Sequence, residues 1–390
     1  MPRASSRCAE CAMSATGIAL VLMCLILWTV VGYPLVVLLL ARAWPAPAIQ
    51  RAGTTPLLDV VIPVKNGSRW LDAKLASVVS QRYPAERIRV IVMSDGSTDG
   101  TVEIASRWCS RDARVEVHEI PPSGKSAALN VAMEMSTAEI VVLTDVRQPL
   151  DPDCLRFLVE AFADPSVGVV SGELRIREDG TAPAVSLYWR LETKLRHALG
   201  RLDSMLGATG PIYAIRRSEV RRVPPGTILD DMFLPLGAFF NGKRLVSEPR
   251  AIAWDEAMDL GTEFSRKVRT LAGNYQLLVR EPRLLSPFAN RMLWHYLSYK
   301  IARLMLPHFL LLLAVVSLFV PVPLGPVLIA AQLLFLIIAL GDRFVPATLV
   351  IHKISRPVAT FATMVWAAFL AQKIFFVSGE SLWIPTKSTR

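Results

Sequence analysis

Hydrophobic positions follow two different patterns along the chain. Residues 11–41 and 304–341 contain no Asp, Glu, Lys or Arg. A helix needs about 20 apolar residues to cross a bilayer, so the first block predicts one span near 16–41. The second block is long enough for two, 304–321 and 324–341, with Pro321, Pro323, Gly325 and Pro326 marking the turn. A fourth span is expected over 357–377, where Lys373 snorkels toward the interface. Residues 286–303 mix Trp294, Tyr296 and Tyr299 with Arg291, Lys300 and Arg303, the composition of an interfacial helix. The first block is long and lacks a small-residue cleavage pattern before Arg42, which predicts an uncleaved anchor over 1–42.

Between these blocks the apolar period shortens. After a Pro/Ala-rich linker at 43–56, strands are predicted at Leu58–Pro63, Ile88–Ser94, Val115–Ile120, Ile140–Thr144 and Val167–Gly172. Helices are predicted between and after them at Ser68–Gln81, from after Gly100 to about Arg111, at Lys125–Met135 and at Pro152–Ala163. Strands and helices alternating at this spacing build parallel βαβ units. The pattern is less regular further on. It gives a helix at Val185–Leu199, a short strand at Pro211–Ile215, a helix at Asp230–Phe240, a short strand at Arg244–Glu248 and a basic helix at Glu263–Val279. The expected organisation is an α/β domain over 57–285, an interfacial helix at 286–303, a membrane region at 304–378 and a tail at 379–390.

Composition adds a membrane and removes a nucleic acid. Of 390 residues, 52% are hydrophobic, and the mean hydropathy of +0.39 exceeds that of an ordinary soluble enzyme. The net charge of +10 invites a nucleic-acid partner. No nucleic-acid-binding module is recognisable, however, and basic residues beside membrane spans answer to anionic headgroups and topology. With the α/β domain in the cytoplasm, four spans put both termini outside. Arg343, Lys353 and Arg356 agree with that orientation and the tail Lys387–Arg390 opposes it. Cys8 and Cys11 form a lone C-x-x-C without a second ligand pair, so no zinc site is expected.

Candidate chemistry gathers where strands end. Ile140–Thr144 ends on Asp145, and in open α/β sheets ligands bind at the carboxyl ends of strands. Asp95-Gly-Ser-Thr-Asp-Gly follows another strand and precedes a helix. A carboxylate there suits a ribose hydroxyl or a base N–H, although Ser, Thr and Asp at such a place also serve as turn and N-cap residues. Pro63-Val-Lys-Asn66 forms the matching loop after the first strand.

Taken together, several motifs resemble family 2 glycosyltransferases, inverting enzymes with a GT-A fold that use nucleotide-diphospho-sugars. They are Val60-Val-Ile-Pro-Val-Lys-Asn66, Ser77-Val-Val-Ser-Gln-Arg-Tyr-Pro84, Ser94-Asp-Gly-Ser-Thr-Asp-Gly-Thr101, Gly124-Lys-Ser-Ala-Ala-Leu-Asn130 and Leu143-Thr-Asp145. The layout is similar to the membrane branch that holds cellulose, hyaluronan and poly-N-acetylglucosamine synthases. The resemblance implies that Pro63, Asn66, Asp95, Lys125, Asp145, Arg147 and Arg269 bind the donor, expected to be UDP-linked. It places Mg2+ or Mn2+ on Asp145, the first acid of the family's D-x-D. Leu229-Asp230-Asp231 stands at the family's T-E-D position, which makes Asp231 the general base beside Asp230. Helix capping is the plainer account of Asp230. Thr209 and Gly210, in the loop 207–213, would bind the acceptor.

Three positions depart from the family pattern. Gly67 stands where an acid often follows Asn66. Arg147 replaces the second acid of D-x-D: either it turns away while a metal binds Asp145, or its charge stands in for part of the metal's. Thr270 follows Arg269 where polymer synthases carry a tryptophan on which the growing chain stacks. The expected activity is therefore transfer of one or a few sugars to a membrane-associated, lipid-linked or glycan acceptor, by an integral protein of the bacterial inner membrane. The alternatives are a processive polysaccharide synthase and, in a different class, a membrane export component with a nucleotide-binding regulatory domain. The last leaves Asp230 and Asp231 without a role.

Overall fold

The computed structural model describes residues 2–176, 187–256, 260–346, 349–377 and 379. The chain forms two units, one of residues 38–258 and one of residues 1–37 with 259–390.

The 38–258 unit is built on a seven-stranded sheet of order β3-β2-β1-β4-β6-β5-β7. The strands are β1 (Leu58–Val64), β2 (Ile88–Asp95), β3 (Val115–Ile120), β4 (Ile140–Thr144), β5 (Val167–Ile176), β6 (Ile212–Arg216) and β7 (Arg244–Asp255). β1, β2, β3 and β4 pair in parallel, as the alternating pattern predicts. β6 runs antiparallel between β4 and β5, and β5 pairs in parallel with β7. Val60, Val90 and Val142 from neighbouring strands are fully buried in one core with Leu71, Leu75 and Leu155 from the covering helices. Burial on both faces explains why these strands read as continuous runs of Val, Ile and Leu.

Several elements differ from their expected bounds, among them β5, which runs past Gly172 to Ile176. β7 does not stop at Glu248 but continues to Asp255. Its pairing jumps from Ser171↔Ser247 to Glu173↔Ile252, so residues 248–251 bulge out and Pro249, which has no N–H to give, stays off the ladder. The helix expected from Val185 is described from Leu187 to Leu202; residues 185 and 186 lie outside the described residues.

Lys74, on the helix Ser68–Val79, is fully buried. Its Nζ donates to Thr144 Oγ1 and to the Gln148 carbonyl, both at 2.6 Å. Thr144 Oγ1 in turn donates to the Pro211 carbonyl at 2.7 Å. The amine thus pins the turn after β4 that carries Asp145 and Arg147. Burial lowers its pKa to about 7. Between about pH 7 and the ordinary lysine range the native amine is neutral while the unfolded one is charged, so its desolvation penalty is full below pH 7 and relieved as pH rises. Lys74→Met removes that titration. The melting temperature of the variant relative to wild type should be a few degrees more favourable at pH 6.5 than at pH 9.5, measured by thermal unfolding in detergent. An offset independent of pH would refute this.

The other unit contains most of the long apolar helices. Met13–Ala43, Leu293–Ser317, Leu324–Phe344 and His352–Phe375 are long and apolar enough to cross a membrane. Ala15, Ala19 and Leu22 pack against Leu313, Val320 and Leu328, whereas Leu334, Ile337 and Leu340 are more than half exposed, as side chains facing lipid would be. Residues 286–303 do not form a separate helix. Helix begins at Leu293 and continues through a π-helical turn at Leu297–Ile301 into Ala302–Ser317. Tyr299 and Tyr296 are buried, and Tyr33 packs edge-on against Trp294 with ring centroids 5.6 Å apart. Packing therefore accounts for aromatics that the sequence pattern assigns to an interface.

Candidate active site

Loops following β1 and β2 are tied together by their own side chains. Asn66 adopts a left-handed backbone, φ 51°, one that Asn tolerates better than most residues. Its Oδ1 accepts from the Thr98 amide at 2.8 Å and its amide donates to Ser97 Oγ at 3.1 Å. Asp99 accepts from the Ser68 amide and hydroxyl. Burial opposes its ionisation, but those bonds and the ones from Thr101 hold its carboxyl below the usual range. Asp99 is a turn and cap residue.

Asp95 is buried at the end of β2. Its Oδ1 accepts from the Ser123 amide at 2.6 Å and the Gly124 amide at 3.0 Å, and Lys65 Nζ lies 3.8 Å from its Oδ2. Gly96 has φ +60°, and a Cβ there would meet Pro122 at 2.8 Å. Only a glycine lets the two loops approach this closely. The carboxylate expected to meet a nucleoside thus also fixes the start of the helix Lys125–Met135.

Lys125, at the first turn of that helix, joins motifs far apart in sequence. Its Nζ lies 3.0 Å from Asp145 Oδ1 and 3.1 Å from Asp230 Oδ2. Burial disfavours its charge, but Asp145 and Asp230 outweigh burial and raise its pKa. Pro63, Lys125, Asp145, Gly210, Tyr213 and Asp230 line one small cleft at the carboxyl end of β4.

Asp231 completes the cluster. A Cβ on Gly210 would come within 3.0 Å of Asp231 Oδ2, and the Ala208 amide donates to the Asp231 carbonyl at 2.8 Å. The loop 207–210 is therefore shaped around this residue. Thr209 is held from both sides, its amide donating to Ser171 Oγ at 2.8 Å and its hydroxyl accepting from Arg196. Burial, then the neighbouring Asp230 charge, raises the Asp231 pKa to about 6, with Lys125 and Arg196 pulling the other way. Such a carboxylate is ionised at neutral pH and more basic than an ordinary aspartate, as a base for a hydroxyl proton should be.

Arg147 donates to Asp255 Oδ2 at 2.6 Å, at the end of β7, where Gln148 Nε2 also donates at 3.0 Å. Its guanidinium is thus paired with an acid on β7. Arg269 lies on the helix Leu260–Arg280, in the unit of residues 1–37 and 259–390, whereas all the other candidates belong to 38–258. Sequence reasoning missed Tyr213, Arg196, Lys74 and Asp255. Tyr213 ends the loop 207–213 assigned to the acceptor, yet only the pairing of β6 with β4, Tyr213 opposite Leu143, brings it to the cleft.

Residues 59–223 match the family model described as Glycosyl transferase family 2. An N-acetylglucosaminyltransferase of Rhizobium meliloti (strain 1021) is 32% identical over 185 residues, covering 45% of this chain and 43% of the relative. A poly-beta-1,6-N-acetyl-D-glucosamine synthase of Staphylococcus aureus (strain COL) is 25% identical over 229 residues, covering 55% and 54%. The chain thus matches about half the length of these curated relatives. Among solved structures, a mannosyltransferase of Pyrobaculum calidifontis, in complex with GDP-Man and Mn2+, is similar with a TM-score of 0.70 at 23% identity, over 93% of this chain and 99% of that one. That likeness is one of fold, and it gives the sheet described above as GT-A.

Proposed function

We propose, from a chain whose residues 59–223 match the family 2 glycosyltransferase model, that it transfers a sugar from a nucleoside-diphosphate donor to a hydroxyl acceptor with inversion. One observation carries this: Lys125 joins Asp145 and Asp230 in a single cleft, and Asp231 lies beside Gly210, which lines it. Asp95, Asn66 and Pro63 bind the nucleoside side of the donor, and Lys125 meets its diphosphate. Asp231 takes the proton of the acceptor hydroxyl as that oxygen attacks the anomeric carbon from the face opposite the leaving group. The bond to the diphosphate breaks as the new glycosidic bond forms, so the centre inverts in one displacement. Thr209 and Gly210 shape the acceptor side.

A divalent cation fits here only in company with the substrate. No group of three or more His, Cys, Asp or Glu side chains among the described residues makes a metal cage. Mg2+, however, binds through one or two carboxylates together with substrate phosphates, and Asp145 presents one half-exposed carboxylate with only its Oδ1 on Lys125. Asp145 would hold Mg2+ or Mn2+, which when bound offsets charge on the departing diphosphate.

The membrane reading rests on the four apolar helices. The protein is integral to the bacterial inner membrane, its catalytic domain faces the cytoplasm where sugar nucleotides are made, and its acceptor is lipid-linked or a glycan. Thr270 in place of a stacking tryptophan favours the addition of one or a few sugars. The synthase among its relatives supports a second reading, a processive polymerase, and product ladders of many residues would establish that one.

A nucleotide-sugar screen on the detergent-solubilised chain, with Mn2+ or with EDTA, tests the proposal. Release of nucleoside diphosphate that depends on acceptor, and that EDTA abolishes, is expected. No turnover with any donor would overturn it, and full turnover in chelator would overturn the metal. The acid limb gives a further check. Protonation disables Asp231, so kcat/KM should fall about tenfold per pH unit below about pH 6. A flat profile down to pH 4.5 would exclude Asp231 as the base.

A further inference from the structure

Tyr213 is fully buried, with 1% of its surface exposed, and among the described residues its Oη has no hydrogen-bond partner. Buried tyrosine hydroxyls are ordinarily bonded, and an exception calls for an explanation. This one lines the same cleft as Lys125, Asp145, Gly210 and Asp230. Its place follows from the fold. β6 runs antiparallel to β4 with Tyr213 opposite Leu143, two residues before Asp145, and Leu143 lines the cleft as well. Burial, then the charges of Asp230, Asp231 and Asp145, push the phenol well above its ordinary pKa. It therefore keeps its proton and acts as a donor, yet none of those carboxylates accepts it in a hydrogen bond.

We propose that Tyr213 is a substrate-binding residue whose hydroxyl donates a hydrogen bond to an oxygen of the sugar-diphosphate part of the donor. This rests on the glycosyltransferase reading of the cleft and adds a contact to it. Sugar hydroxyls and phosphate oxygens are both acceptors placed to enter between Lys125, Asp145 and Asp230. The donated bond satisfies the phenol only in the complex, so it favours the bound state over the free one.

Tyr213→Phe tests this, because it removes one oxygen and keeps the ring. A hydroxyl that holds the fold together would cost stability when deleted, whereas one without a partner would not. The variant should melt at or above the wild-type temperature and yet bind UDP-GlcNAc at least tenfold more weakly in calorimetry, with kcat/KM reduced to match. If UDP alone is weakened equally, the phosphate oxygens are the partner; if only UDP-GlcNAc is weakened, the sugar is. Binding and turnover within twofold of wild type would overturn the proposal, as would a fall of several degrees in the melting temperature of the free protein. Wild-type protein that binds neither these nor any other donor of the nucleotide-sugar screen would instead sink the donor reading, and this assignment with it.

Discussion

Asp231→Asn is expected to lower the rate of transfer by about 10²–10⁴-fold, the usual contribution of a positioned general base, while binding of UDP changes little. The substitution keeps the size and shape of the side chain beside Gly210 and leaves the backbone bond from the Ala208 amide in place. What it removes is the ability to accept a proton. The neighbouring variant behaves differently. Asp230 Oδ2 lies 3.1 Å from Lys125 Nζ, so Asp230→Asn weakens an ion pair inside the donor cleft and should raise the KM for the donor more than it lowers kcat. Single-turnover rates and donor affinities for the two variants separate base from anchor. Equal loss of donor affinity in both, with unchanged single-turnover rates, would show that Asp231 is a second anchor.

How far the chain could be read without its structure depended on where the information lies. The parallel half of the sheet was legible because β1, β2 and β4 are buried on both faces and bounded by turn residues, a signal contained within each segment. Asp145 and Asp95 were legible for the same reason, since a strand end marks them. The bulge in β7 was not, because Glu248, Pro249 and Arg250 look like a strand end, and only the pairing with β5 shows the strand resuming at Ile252. Asp255, which receives Arg147, lies beyond that apparent break. The bridge from Lys125 to both Asp145 and Asp230 was equally hidden, for it joins residues 20 and 105 positions apart. A lysine after a glycine at a helix start carries no local mark of its partners, and neither does Tyr213 or the buried Lys74.

The bridging lysine leads to the second large effect. Lys125→Met should lower kcat/KM at pH 7 by about 10²-fold or more, as expected when charge-assisted hydrogen bonds of about 1.5–3 kcal/mol each are lost from a partly buried site. Part of that loss should return as pH rises. Lys125 is one of the groups that lower the Asp231 pKa, against burial and the Asp230 charge that raise it. Without the ammonium the Asp231 carboxyl holds its proton to higher pH, and the acid limb of the rate profile moves upward from about pH 6. Raising the pH from 7 to 9 should then restore part of the lost rate in Lys125→Met while leaving wild type nearly unchanged. Lys125→Arg keeps the charge and should keep the wild-type limb, even where the larger guanidinium reduces the rate. A loss in Lys125→Met that is the same at every pH would mean that the lysine only positions the donor. A shifted limb would show that this single ammonium acts on both halves of the reaction, the diphosphate directly and the attacking hydroxyl through Asp231.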